Sequence, residues 1–441
     1  MEFVEGVLKR DDLEISDIQA GDYEGKDVCV KGNVHVIRNM GDIAFIILRK
    51  RQGQLQCVVD KKDLSIKEIH EEACLKVEGT VSKTDKAPNG FEILTKKIEI
   101  ISKPKEPMVL PVGKWKMKTS LETKMSLRPI ALRNIRERSK FKIQEGILRS
   151  FRDYLYSEGF TEITTPKINA KGAEGGSNLF RLEYFNKKAV LAQSPQFYKQ
   201  MMVGVYERVF ETGPVFRAEK HSTKRHLNEY MGLDFEMGFI DSFEDIMNVE
   251  TGFLKYMVEF LKKDYQKELN ILNVELPVID KIPQVRFDEA KKLVSEKYNR
   301  KIKNPFDLEP EEEELIGKYF KEEYGSDFVF VTHYPSKKRP FYAMDDPEDE
   351  TVTLSFDLLF RGIEITTGGQ RIHDYDMLMK KIEARGMTSE GMEHYLMIFK
   401  YGMPPHGGLG LGLERLTMKL LGEENVRETS MFPRDLSRLE P

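Results

Sequence analysis

The stretch 27–101 sets the tightest limit on what this chain can fold into. It breaks into short alternations of apolar and polar residues: DVCVKGNVHVIR, IAFIILRKR, QLQCVV, CLKVEGTVSK and GFEILTKKIEII. Gly-Asp, Gln-Gly and Asn-Gly pairs punctuate them. Period-two alternation marks half-buried strands, and such pairs close hairpins. About five strands follow, with a helical stretch predicted near KKDLSIKEIHEEA, before the fourth. That count suits a small closed barrel.

The barrel type it fits is the OB-fold, over 1–103. The chain has 441 residues, so a second and larger core must lie beyond it. Between them SKPKEPMVLPVGKWKMK carries Pro104, Pro107, Pro111 and a run of lysines, and 104–130 reads as a linker. It is either a solvated tether or one that also touches phosphates. From 131 to 441 helical spacing, as in FKIQEGILRSFRDYLYSEGF, mixes with β-branched runs, as in TEITTPKI ending near Pro166. RVFETGPVFRAE and LDFEMGFI are two strands joined by a polar loop, and TVTLSFDLLFRGIEITTGG reads as further strands. HGGLGLGLERLTMKLLG is a glycine-rich stretch opening a helix. A small helical insertion is expected around 270–345, and the acidic run Glu311 to Glu314 is expected to be a solvated face. The class is α+β and multi-domain.

With 40% hydrophobic and 32% charged residues and a net charge of −4, the composition excludes disordered, collagen-like and membrane classes. It also excludes a uniformly basic nucleic-acid coat, though local basic surfaces stay open. No apolar run approaches the ~20 residues that cross a bilayer, and MEFVEGVLKRDD lacks a signal peptide's apolar core. A cytoplasmic location is expected. Cys29, Cys57 and Cys74 form no C-x-x-C pair and are read as ordinary reduced thiols.

Several clusters could carry chemistry. Phe216 to Glu219 put Arg217 at the end of an apolar strand, and Lys220, His221, Lys224, Arg225 and His226 follow. Guanidinium forks match phosphate oxygens, although a surface ion pair explains such an arginine equally well. Gly407, Gly408, Gly410 and Gly412 precede Leu413-Glu414-Arg415 in a spacing that is neither a dinucleotide fingerprint nor a P-loop. These glycines let a flat ligand, or another strand, approach the backbone. Asp357 and Glu364 flank Arg361-Gly362. If that pair is a turn, the carboxylates share a face and can hold Mg²⁺. Arg371 and Lys199, in QSPQFYKQ, add two cations.

The order of these signals resembles motifs one, two and three of the class II aminoacyl-tRNA synthetases, over essentially the whole chain. The N-terminal OB-like domain with QSPQFYKQ, RHLNEYMGLDFEM, GGQRIHDYDML and YGMPPHGGLGLGLERL is similar to aspartyl-tRNA synthetases of the archaeal type. The resemblance implies a catalytic domain built on an antiparallel sheet flanked by helices. It implies ATP as substrate, Mg²⁺ as metal, and L-aspartate activated as an adenylate before transfer to tRNA.

Carried over by motif, Arg217 contacts the α-phosphate and the reacting carboxylate, and Glu219 the adenine. Arg225 and His226 take the outer phosphates, with Leu227 beside them, and Arg415 takes the γ-phosphate after Gly412, Leu413 and Glu414. Arg217, Arg415 and Glu364 form the catalytic set. Asp357 and Glu364 ligate Mg²⁺ with Thr367, which stands where a serine is usual. Arg371 and Lys199 face the aspartate carboxylate, oriented by Asp234 and Gln196. Thr367 also lines this site, and Glu174, in AKGAEGGS, resembles a loop that closes on the substrate ammonium. Two buried cations left uncompensated by asparagine are expected to reject it.

The resemblance also assigns Phe45, Gln56 and Glu78 as readers of the central anticodon base. A splayed base stacks on an aromatic while amide and carboxylate read its edge. His35 and Pro88 match relatives that charge tRNA(Asn) as well as tRNA(Asp), which implies a non-discriminating enzyme. A discriminating aspartyl enzyme, an asparaginyl enzyme and a catalytically silent RNA-binding paralogue are the alternatives. Motif one implies a homodimer. No membrane or DNA partner is expected.

Overall fold

A computed structural model describes residues 6–172, 178–221 and 223–440. The chain divides into two compact units, Met1–Glu137 and Arg138–Pro441. No helix among the described residues is long and apolar enough to cross a membrane.

The first unit is a closed five-stranded barrel of Asp27–Met40, Ile43–Lys50, Gly53–Asp60, Cys74–Lys83 and Phe91–Ser102. Its pairings are antiparallel except the parallel contact of Gly53–Asp60 with Phe91–Ser102. The inward positions, among them Val30, Ile46, Leu48, Leu55, Cys57, Val77 and Ile93, form one apolar core. Burial pushes the Cys57 thiol up to about 12, as suits an inert core residue. The helix predicted near 61–73 is absent, and isolated turns replace it. Glu72 takes φ 70 and donates its N–H to Val34 O, which draws the chain into the barrel wall instead of along a helix axis. The short helices Leu121–Ser126 and Arg128–Ala131 lie in the stretch read as a linker.

The second unit is built on an eight-stranded sheet. Its order is Gln284–Arg286, Phe328–Thr332, Ser355–Phe360, Ile363–Arg371, His406–Gly412, Glu229–Gly238, Arg208–Phe216 and Thr161–Glu162. The six central strands are antiparallel, and the two edge pairs are parallel. The helices Ile135–Ser157, Glu244–Asp264 and Leu413–Leu421 contribute to the main core through Ile147, Phe151, Phe253, Leu254, Met257 and Leu416. Segment 270–345 is more than a helical insertion. It supplies two strands of this sheet, and its helices Phe287–Tyr298 and Pro310–Tyr324 pack their own core against the apolar run Phe328–Thr332.

The glycine run has a mechanical cause in this sheet. His406–Gly412 lies between Ile363–Arg371 and Glu229–Gly238, and a Cβ on Gly408 would overlap Phe235 O and the Glu236 carboxylate. Of the two explanations open from sequence, close approach of a neighbouring strand accounts for Gly407 and Gly408, while Gly412 opens onto empty space.

Candidate active site

One face of the sheet carries a cavity of about 390 Å³. At one end two buried cations meet two buried carboxylates. Lys199 sits on the helix Gln196–Tyr206 and is 1% exposed. Its Nζ lies 3.0 Å from Asp234 Oδ1 and 3.2 Å from Glu236 Oε2, and donates to Leu409 O at 2.7 Å. Arg371 Nε donates to Glu236 Oε1 at 2.8 Å, and its Nη2 to Gly408 O at 2.9 Å. Burial raises Asp234 above the ordinary carboxylate range. Burial also disfavours a charged Glu236, but Arg371 and Lys199 outweigh it and hold that group low.

This arrangement corrects one expectation. The two cations are not left uncompensated when aspartate is absent, because Asp234 and Glu236 already pair with them. Lys and Arg side chains only donate, so they can serve both oxygens of an incoming carboxylate, whereas an amide offers them one acceptor in place of two.

The other end of the cavity carries the remaining arginines. Arg217 follows the strand Arg208–Phe216, is exposed, and lies 5.8 Å from the centroid of the Tyr230 ring. Glu219 accepts from Asn178 Nδ2 at 3.3 Å. Arg415, on the first turns of Leu413–Leu421, donates from Nε to Arg225 O at 3.2 Å and from Nη1 to Glu364 O at 3.1 Å. His226 bonds Thr223 Oγ1 through Nδ1 at 2.6 Å, and burial together with Arg415 holds it below the usual histidine range. Gln196 lines the cavity with its amide nitrogen buried and without a hydrogen-bond partner among the described residues. Glu414 lines it too, accepting from Met231 N, and burial pushes its carboxyl up to about 8. Gly412 and Leu227 complete the wall, while Leu413 turns into the core.

Asp357 and Glu364 do share this cavity, because Arg361-Gly362 is a hairpin turn that pairs Asp357 with Thr367. Glu364 Oε1 accepts from Thr367 Oγ1 at 2.9 Å. Burial pushes Asp357 up to about 6 against the pull of Arg339, whereas Arg415 and the Thr367 hydroxyl keep Glu364 low despite its burial. A buried carboxylate and a half-buried one, with a hydroxyl, are hard oxygen donors that suit Mg²⁺. No group of three or more acidic, histidine or cysteine side chains gathers to hold a metal among the described residues. The donor set therefore fits an ion completed by water and substrate phosphate, as Mg²⁺ prefers.

Several contributors were missed in the sequence. Glu236 was legible, since it lies two positions past Asp234 and so on the same strand face. Arg339 was not. It donates to Asp357 Oδ1 at 2.7 Å and stacks 3.9 Å from the Tyr334 centroid, and nothing in KKRPFY announces that. The acidic run is only in part a solvated face: Glu311 and Glu314 are exposed, and the two between them are not. Glu312 is buried against Lys291, and Glu313 is buried in a bidentate contact with Arg225. Glu174 lies outside the described residues.

Residues 120–436 match the family of class II tRNA synthetases for D, K and N, and residues 28–101 match the OB-fold nucleic acid binding domain. The aspartate–tRNA(Asp/Asn) ligase of Deinococcus radiodurans is 47% identical, covering 95% of this chain and 97% of its own length. The aspartate–tRNA(Asp) ligase of Pyrococcus abyssi is 44% identical, covering 95% and 97%. The chain belongs to the class II aminoacyl-tRNA synthetases, on the aspartyl branch. Among solved structures, asparaginyl-tRNA synthetase from Pyrococcus horikoshii with asparaginyl-adenylate aligns with a TM-score of 0.88 at 31% identity, covering 95% of this chain and 97% of that one. An aspartyl-branch chain thus shares its backbone with an asparaginyl enzyme, and side chains must separate these two amino acids.

On the barrel of this synthetase, Phe45 is half-buried on an outward position of Ile43–Lys50. Gln56 lies diagonally across the pairing, opposite Ile47. The structure does not bring Glu78 to them. Glu78 pairs across the sheets with Cys29 and Lys97, and it is Glu92 whose carboxylate accepts from Gln56 Nε2 at 2.7 Å. The reason is strand order: Phe91–Ser102, not Cys74–Lys83, adjoins Gly53–Asp60. His35 is the extra residue of a β-bulge and is 2% exposed, whereas Pro88 is exposed on the turn before Phe91–Ser102. Only Pro88 of that pair presents a surface for direct contact.

Proposed function

We propose that this synthetase activates L-aspartate with ATP and transfers it to both tRNA(Asp) and tRNA(Asn). The aspartyl assignment rests above all on the two buried cations Lys199 and Arg371, which offer donors to both oxygens of a side-chain carboxylate. In the first step the ionised α-carboxylate of aspartate attacks the α-phosphate in line. A carboxylate oxygen–phosphorus bond forms, the bond from that phosphorus to the bridging oxygen breaks, and pyrophosphate leaves with the electron pair. The nucleophile is already deprotonated, so the residues' work is positioning and charge neutralisation. Arg217 bridges the α-phosphate and the carboxylate, Glu219 orients the adenine, and Arg225, His226 and Arg415 take the outer phosphates. Asp357, Glu364 and Thr367 would hold Mg²⁺, which supplies charge neutralisation on the phosphates when bound. Gln196 and Glu174 are assigned to aspartate.

For tRNA, Phe45, Gln56 and Glu92 form the base-reading surface, with Glu92 in the place first given to Glu78. Dual tRNA use is supported by the His35 and Pro88 pair and by the name carried by the Deinococcus relative. With its side chain buried, His35 acts through the loop shape it sets. Aminoacylation of purified tRNA(Asp) and tRNA(Asn) transcripts tests this, and aspartylation of only the first makes the enzyme discriminating. ATP–pyrophosphate exchange driven by aspartate and not asparagine is expected, and the reverse result refutes the aspartyl assignment. A cytoplasmic homodimer is expected, and an active species of monomeric mass in solution refutes the dimer.

A further inference from the structure

We propose that Glu313 is a positioning residue for ATP, holding the Arg225 guanidinium in the cavity so that it meets the outer phosphates preformed. The inference rests on the reading that Arg225 binds those phosphates.

Glu313 lies on the first turn of Pro310–Tyr324, far in sequence from every motif named above. Its two carboxylate oxygens accept from Arg225 Nη2 at 2.9 and 2.7 Å, and Oε2 also accepts from Glu364 N at 2.9 Å. Glu364 O in turn accepts from Arg415 Nη1, and Arg415 Nε donates to Arg225 O. The four residues therefore close a ring. In it Glu313 and Glu364 are the two carboxylates that let two arginines stand together when no phosphate is present, Arg225 opposing the burial that pushes the Glu313 carboxyl up to about 7. Like charges that close would otherwise repel, and long side chains would swing to solvent.

The contact uses one guanidinium nitrogen only. Arg225 Nε is buried and has no hydrogen-bond partner among the described residues, so a donor is held in place and unspent. A buried N–H without an acceptor is costly, and a phosphate oxygen would satisfy it. Holding that donor in its bound position before ATP arrives reduces the ordering cost of binding.

Glu313→Gln keeps the volume and an oxygen for Glu364 N but removes the charge that fixes Arg225. In ATP–pyrophosphate exchange the expected result is a KM for ATP raised about tenfold, as befits one charge-assisted bond, with KM for aspartate within about twofold. Competitive inhibition by AMP, which lacks the outer phosphates, should be unaltered. In an Arg225→Ala background the same substitution should add nothing. Unchanged KM for ATP, an equal loss of AMP inhibition, or the full effect without Arg225 would each overturn the proposal. Failure of the underlying reading has a separate mark, namely Arg225→Ala leaving KM for ATP unaltered. Should the glutamine variant not fold, Glu313→Asp decides by the same measurements. A shorter carboxylate must raise KM for ATP and spare AMP, and no change in either refutes the role.

Discussion

Lys199 Nζ stands 3.0 Å from Asp234 Oδ1 where both side chains are sealed from solvent. Removing one partner of such a pair strands a buried charge, at a cost of about 3–5 kcal/mol. Lys199→Met should therefore lower the melting temperature and abolish aspartate-dependent pyrophosphate exchange. Lys199→Met combined with Asp234→Leu should recover much of the stability and none of the exchange. A double variant that regains activity would show the pair to be structural only.

Arg217 makes a different demand, since it is exposed and contributes little to the core. Arg217→Ala should leave the melting temperature unaltered and reduce kcat for exchange by on the order of 10²–10³, the loss typical of one preorganised charge donor at a reacting oxyanion. Steady-state exchange at saturating ATP and aspartate checks it, and full activity removes Arg217 from the mechanism.

His406 links stability to pH. Its Nδ1 is 2.9 Å from Pro404 O and its Nε2 is 2.9 Å from Gln200 Nε2, a geometry that fits a neutral ring with the proton on Nδ1. Burial holds the group down to about 4. The unfolded histidine takes up a proton near 6.5 and the folded one does not, so this stabilisation is present above 6.5 and is lost as pH falls from there toward 4. The difference in urea unfolding free energy between the native chain and His406→Gln should shrink from pH 7 to pH 5. A difference independent of pH would mean that the ring protonates in place.

On the barrel, Glu92→Ala should raise KM for tRNA several-fold and leave ATP–pyrophosphate exchange intact, because that reaction needs no anticodon. Glu78→Ala should do neither. Aminoacylation kinetics on tRNA(Asp) transcripts separate the two, and the opposite ranking would restore Glu78 as the reader.

What could be read from the sequence was local or periodic. Strand alternation and turn pairs placed the barrel, and the Arg361-Gly362 turn correctly set Asp357 and Glu364 on one cavity. What escaped depended on which strands become neighbours. Glu78 and Glu92 look equivalent along the chain, and only the adjacency of Gly53–Asp60 to Phe91–Ser102 chooses between them. Glu313 was hidden for a related reason: an acidic run at a helix start is normally solvent-facing, and burial here comes from packing against the Arg361-Gly362 turn. The cations of the amino-acid site were visible, but their existing partners were only half visible, since Glu236 entered through its pairing with Arg371.

The glycine strand His406–Gly412 limits any redesign of the enzyme for a larger amino acid. Engineers usually widen a binding site by trimming side chains, and along much of this wall there are none to trim. Gly410 and Gly412 line the cavity without a side chain, and farther along the strand backbone already abuts backbone at Gly407 and Gly408, so a variant library on this strand can only shrink or distort the site. Room for a longer substrate would have to come from exchanging Lys199, Asp234, Glu236 and Arg371 together, since changing any one alone leaves a buried charge without its partner.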